Sequence, residues 1–304
     1  MLTAFHSLNA QWRAAILMVL ALFMFNLMGI SIRLASAHVP VMEIVFFRNF
    51  LAVLLILPIV WRSDITRLRM NRPRLFFLRA GVNFVGMYCG FTAVTLIPLA
   101  EMTALGFTGP IFITIGAVLF LGEVIRLRRI IAVFFGFVGA LIILQPGFSD
   151  ISAGAILALT SAFSIAMASL VVKKLTITET SESIVFWMVA MQAPLAFFPM
   201  LMVWKTPDMT GWLLLFCVAG TGTIAHMLFT HAYRMVEITT LQPLEFIKLP
   251  FAVVLAWMVF GELPTIWIWL GGAVIFASTA YITRREAQMT LSQKPNHGMN
   301  DAKL

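Results

Sequence analysis

Apolar residues run through this chain in long blocks, and the polar residues that divide the blocks come in short clusters. A membrane-spanning helix needs roughly 20 predominantly apolar residues. Ten stretches meet or approach that length: Ala14–Ala35, Glu43–Trp61, Leu75–Ile97, Glu101–Leu121, Ile130–Leu144, Ser152–Val172, Ser183–Trp204, Trp212–Tyr233, Thr239–Phe260 and Thr265–Thr283. The pattern predicts an all-α integral membrane protein with ten transmembrane helices. The first stretch has some features of a secretory leader, with Arg13 ahead of it and Ala35-Ser36-Ala37 as a cleavage-like site. Its apolar core exceeds the roughly 7 to 15 residues of a leader, and nine further spans follow, so it is read as a mature helix.

The blocks also repeat. A proline-broken apolar segment runs from Pro110 to Gly122-Glu123 and again from Pro250 to Gly261-Glu262, with the two Gly-Glu pairs 139 residues apart. The predicted division is a tail over residues 1–13, a five-helix repeat over 14–147, a second over 150–284 and a polar, disordered tail over 285–304. Because five is odd, the second repeat enters the membrane from the opposite side, giving two inverted repeats. Paired, proline-interrupted segments at matching places in inverted repeats point to a carrier's substrate site and to alternating access. Gly109, Pro110, Pro243 and Pro250 are the expected hinge positions.

Composition narrows the class. With 61% hydrophobic and only 11% charged residues, against about 25% charged in soluble chains, no water-facing surface could be covered. Lys and Arg are spread unevenly: with a cytoplasmic amino terminus, the inward segments hold Arg13, Arg62, Arg67, Arg69, Arg72, Arg74, Arg79, Arg126, Arg128, Arg129, Lys173, Lys174, Arg234, Arg284, Arg285, Lys294 and Lys303, and the outward loops hold only Lys205. That bias places both termini in the cytoplasm. It assigns the net charge of +8 to contacts with anionic lipid headgroups and leaves nucleic-acid binding without a role. Cys89 and Cys217 both lie in apolar runs, so neither a disulfide framework nor a thiolate metal site is expected.

Phe46-Phe47-Arg48-Asn49-Phe50-Leu51-Ala52, Thr103 through Pro110 leading to Leu121-Gly122-Glu123, Gly136 through Gly147, and Leu249-Pro250-Phe251-Ala252 through Phe260-Gly261-Glu262-Leu263-Pro264 resemble the EamA-type transporters of the drug/metabolite transporter superfamily. The resemblance covers roughly residues 14–284. It implies a multi-pass carrier of small organic solutes in a bacterial inner membrane, with a central cavity between the halves.

An ionisable group at mid-bilayer costs at least about 2.5 kcal/mol to insert, so it normally faces a cavity or a partner. Asn26, Gly29 and Arg33 share one face of the first helix, either as a substrate-facing stripe or with Arg33 snorkelling to headgroups. Arg48 either pairs with Glu43 or lipid at the interface, or holds a substrate carboxylate through a bidentate contact. Gly86 and Gly90 permit close helix approach, while Asn83 and Tyr88 are candidates to border the cavity. Glu101 either offsets the dipole of the fourth helix or binds an amine or a proton in the vestibule, and Thr108 stands where Gly106, Gly109 and Pro110 loosen backbone bonding.

The ninth helix carries the densest deep polar cluster, Gln242, Pro243, Glu245, Lys248 and Pro250. Glu245 and Lys248 are neighbours on the helix surface: an internal ion pair, or one that an arriving zwitterion or proton breaks. Thr223, His226, Thr230 and Tyr233 form a polar face on the eighth helix, where His226 either is a satisfied bundle histidine or titrates near neutral pH and couples transport to protons. His226 and His231 lack the spacing of a helical zinc site.

No H-E-x-x-H, G-x-S-x-G or G-x-x-x-x-G-K-[ST] occurs, which argues against an intramembrane enzyme or a nucleotide-driven pump. The expected function is secondary transport of a small metabolite, carboxylate-bearing or zwitterionic, such as an amino acid, S-adenosylmethionine or a vitamin, with no cofactor and no metal. A broad-specificity exporter is the alternative.

Overall fold

The structure is a computed structural model that describes residues 10–62, 68, 70–121, 127–145, 151–175, 178–235 and 242–292. These form α1 (Ala10–Ala35), α2 (Val41–Arg62), α3 (Pro73–Leu96), α4 (Leu99–Gly106), α5 (Gly109–Leu121), α6 (Leu127–Leu144), α7 (Ala153–Leu175), α8 (Ser181–Met202), α9 (Met209–Met235), a 3-10 segment (Gln242–Ile247), α10 (Lys248–Phe260) and α11 (Ile266–Ser292). Five stretches, within α1, α3, α7, α8 and α9, are each long and apolar enough to cross a bilayer. Two spans are broken: α4 with α5, and the 3-10 segment with α10. The fold is the all-helical ten-span architecture expected.

Both breaks fall beside the prolines. At the first, the amides of Phe107 and Thr108 donate back three residues, to Ala104 and Leu105, and the Thr108 carbonyl then receives Ile111 and Phe112 as α5 begins. Pro110 has no amide hydrogen to donate, so the helix cannot run through. At the second, six residues of tighter 3-10 winding precede α10, in which Pro250 again lacks a donor.

The helix contacts are arranged as two inverted copies. α1 packs on α9 as α7 packs on α3; α10 packs on α1 as α5 packs on α7; α2 lies against α9 as α3 lies against α8. α2–α8 and α6–α11 pair across the pseudo-two-fold axis. The match holds residue by residue. On the α3–α7 crossing, a Cβ on Gly86 would stand 3.0 Å from the Ser164 Cβ, and a Cβ on Gly90 would stand 2.7 Å from the Ser161 Oγ. At positions 136 residues away in every case, Gly222 abuts Met28, and His226 meets Phe25 on the α1–α9 crossing. Gly86 and Gly90 therefore permit a close crossing, sealed by the Ser161 hydroxyl donating to the Gly86 carbonyl at 2.7 Å.

The crossings run antiparallel, which defines a near face, where α1 starts, and a far face, where α1 ends. The far halves of seven helices converge in one apolar cluster that includes Ile30, Ile44, Phe91, Leu99, Ala196, Leu215 and Ala256. Clusters at the near face are smaller, such as Ala14, Met18, Leu22 and Ala232.

Candidate functional site

The sequence places polar groups on α1, α2, α9 and the broken ninth span, and the structure brings several of them together. Asn26 is buried; its Nδ2 donates to the Leu22 carbonyl at 3.0 Å and to the Lys248 carbonyl at 3.2 Å, tying α1 to the first residue of α10. Its Oδ1 is buried with no partner. The Lys248 ammonium lies 5.9 Å from the centre of the Phe25 ring, and Glu245 acts on it electrostatically. Phe25 in turn meets the His226 ring edge-on at 5.0 Å. One polar and aromatic group thus joins α1, α9 and the broken span of the second repeat.

Arg48 reaches the same region from α2. It is buried, donates from Nη1 to Asn49 Oδ1 at 3.0 Å, and its Nε lies 3.7 Å from where a Cβ on Gly222 would stand. Asn49, also buried, is fixed by its own bond to the Val45 carbonyl at 2.9 Å. Glu43 does not pair with Arg48: its carboxylate accepts the Lys205 amide. Among the described residues no carboxylate forms an ion pair with Arg48.

The remaining candidates fall elsewhere. Arg33 pairs with Glu262 at 2.5 Å, drawn there by an opposite charge that the spacing along one helix does not reveal. The Thr108 hydroxyl donates to the Leu105 carbonyl at 2.7 Å and so serves the break between α4 and α5. Glu101 is half-buried in the first turn of α4, and Asn83 is half-buried on α3. Tyr88 is 37% exposed, turned away from the glycine face that meets α7. Pro250 is exposed in the first turn of α10, and Gly109 opens α5. The side chains of Pro110, Tyr233, Gln242 and Pro243 lie outside the described residues.

Among the buried polar groups not singled out from sequence are Arg79, Asn49 and Gln192. Arg79, counted above among the loop charges, sits inside α3, where Nη1 donates to the Ile184 carbonyl at 2.7 Å, Nη2 meets Met188 Sδ at 3.3 Å, and Nε has no partner. Both Arg79 and Arg48 act electrostatically on His226. Asn49 was seen only as part of a motif. Gln192, at the middle of α8, is fully buried with neither amide atom partnered. The available signal was depth: Arg79 follows the helix start at Pro73 by six residues, and Gln192 is a lone amide within an apolar run.

Comparison with known proteins bears on this arrangement. A model of the EamA-like transporter family matches residues 12–145 and 152–284, the two halves of the inverted fold. The chain is 32% identical over 284 residues to a riboflavin transporter of Rhizobium johnstonii, covering 92% of this chain and 93% of that protein. It is 29% identical to an S-adenosylmethionine uptake transporter of Rickettsia bellii, covering 80% and 84%, and 28% identical to the pseudopaline exporter CntI of Pseudomonas aeruginosa, covering 88% and 95%. A solved crystal structure shares the fold with a TM-score of 0.63 at 15% identity, covering 91% of this chain and 98% of that one.

Proposed function

The chain belongs to the EamA-like transporter family, a multi-pass membrane transporter of small metabolites, and we propose that it carries an anionic or zwitterionic ring-bearing metabolite inward by alternating access. The near face is the cytoplasmic face of a bacterial inner membrane in this reading, as the Lys and Arg bias supports.

The observation that carries the reading is the set of basic side chains held within the bundle: Arg48 against Gly222 of α9, Lys248 over Phe25 beside His226, and Arg79 against Ile184 of α8. Burying a charge is costly unless something compensates it, and Glu245 is the one carboxylate acting on these groups among the described residues. A cargo carboxylate or an edge rich in carbonyl oxygens supplies what is missing, and Arg48 and Lys248 are the groups that bind it. Phe25 offers a ring face beside them for a flat heterocycle. Riboflavin and S-adenosylmethionine, the cargoes of the relatives, each combine a ring system with oxygen acceptors. Glu245, facing the Lys248 ammonium, is the group through which a coupling proton would enter.

Thermal stabilisation of the detergent-purified protein by a panel of riboflavin, S-adenosylmethionine, nucleosides and amino acids tests the assignment, since a ligand that binds the native state must stabilise it. Arg48→Gln and Lys248→Ala should each weaken the effective ligand about 10-fold or more, the cost of a lost charge-assisted bond. Unchanged affinity in both variants would remove these residues from the site. The exporter relative supports a second reading with the same site and outward transport; the direction of flux in oriented vesicles decides between them.

A further inference from the structure

An ion pair at the far face lies away from these basic side chains. Arg33, in the last turns of α1, meets Glu262 just beyond α10, with Nη1 2.5 Å from Oε1. The second carboxylate oxygen receives the Leu99 amide at 3.4 Å, the first residue of α4, so one acidic side chain joins three spans. The Arg33 guanidinium also covers the Phe260 ring, 4.6 Å from its centre.

The backbone is shaped for this contact. Gly261 ends α10 in the left-handed region, at φ 67° and ψ 16°, with its amide donating to the Trp257 carbonyl at 3.0 Å. Glycine alone takes that conformation without steric cost, and the turn carries Glu262 back over α1. Arg33 and Glu262 are 24% and 21% exposed, so water reaches both, while Ile32, Ala35, Leu99 and Ala256 beneath them are sealed in the large apolar cluster. The contact spans both repeats: α1 and α4 come from the first, α10 from the second. Those are the elements an inverted-repeat carrier must separate to open this face.

We propose that Arg33 and Glu262 form a latch that holds the far face shut, and that they part each time that face admits cargo. The proposal rests on the alternating-access reading but names residues outside its binding site. Partial exposure suits the role, because a hydrated pair is weak enough to break and reform within a transport cycle.

The test needs no cargo. In a Cys89→Ala, Cys217→Ala background, a reporter cysteine at Ala256 is labelled with a membrane-impermeant maleimide from the far side of sealed, oriented vesicles. Glu262→Gln and Arg33→Gln should each speed labelling up to about fivefold, the upper range for a partly exposed pair, and the exchanged pair Arg33→Glu with Glu262→Arg should restore the slow rate. A second reporter at Ala14, in the near-face cluster, should not speed up in any of these variants, which separates latch release from loss of fold. Equal Ala256 labelling in all variants, or equal acceleration at both reporters, would overturn the latch. Either result leaves the metabolite-binding test above unaffected.

Discussion

Asp208 shows how little charge this molecule spends without a purpose. It precedes α9 at the far face, where its carboxylate receives the Gly211 amide at 2.7 Å and lies 3.1 Å from His38 Nδ1. The Gly211 bond is the main cause that holds its acid group below the ordinary value of 3.8, with His38 acting in the same direction and desolvation opposing both. A group whose pKa is lowered by folding stabilises the folded state above its unfolded value, and the stabilisation is lost as pH falls through the folded value. The cap that Asp208 forms on α9 should therefore hold at neutral pH and loosen only as the solution is acidified below about 3.8. Backbone-amide exchange at Gly211 measured across that range checks this; an amide unprotected at every pH would contradict it. Position along the chain gave no hint of this contact, because His38 and Asp208 come from connections 170 residues apart. Arg33 and Glu262 escaped for the same reason. Polar groups placed inside the bundle by depth alone, such as Asn26 and Lys248, were legible as such, since an amide or ammonium within an apolar run stands out wherever the run folds.

Elements explain why the repeat could be read so fully. Each broken span needs only a proline without a donor and a glycine at its end, features visible in any linear text, and the structure places breaks at both. What the text does not show is which helices touch. The α6–α11 pair is an instance where backbone meets backbone: a Cβ on Gly139 would stand 2.8 Å from the Gly271 carbonyl oxygen and 2.6 Å from the Ile275 side chain. Backbone cannot yield as a flexible side chain can, so Gly139→Ala forces the helices apart. The expected loss is about 1 to 3 kcal/mol, typical of overpacking, read as a lowered thermal midpoint. Because neither α6 nor α11 supplies Arg48 or Lys248, ligand affinity at temperatures below the transition should hold. A stable variant would show that the crossing is looser than these distances state.

On the scale of the whole molecule, matched crossings with unlike residues give the inversion its use. Gly90 with Ser161 in one half corresponds to His226 with Phe25 in the other, so symmetry of backbone coexists with asymmetry of chemistry. The chemistry of the α1–α9 crossing, with Arg48 beside Gly222, accordingly has no counterpart at the Gly86–Ser164 position of the α3–α7 crossing. Equal backbone halves allow two similar conformations of opposite exposure, and the apolar closure at the far face corresponds to one of them. The central claim is that a small metabolite crosses by alternation between these two conformations. Counterflow in proteoliposomes tests it most directly: vesicles holding an excess of the unlabelled stabilising metabolite are placed in a trace of the labelled compound. The account predicts transient accumulation of label above the outside concentration, abolished by Arg48→Gln. Label that only equilibrates, at a rate indifferent to the internal pool, would contradict it.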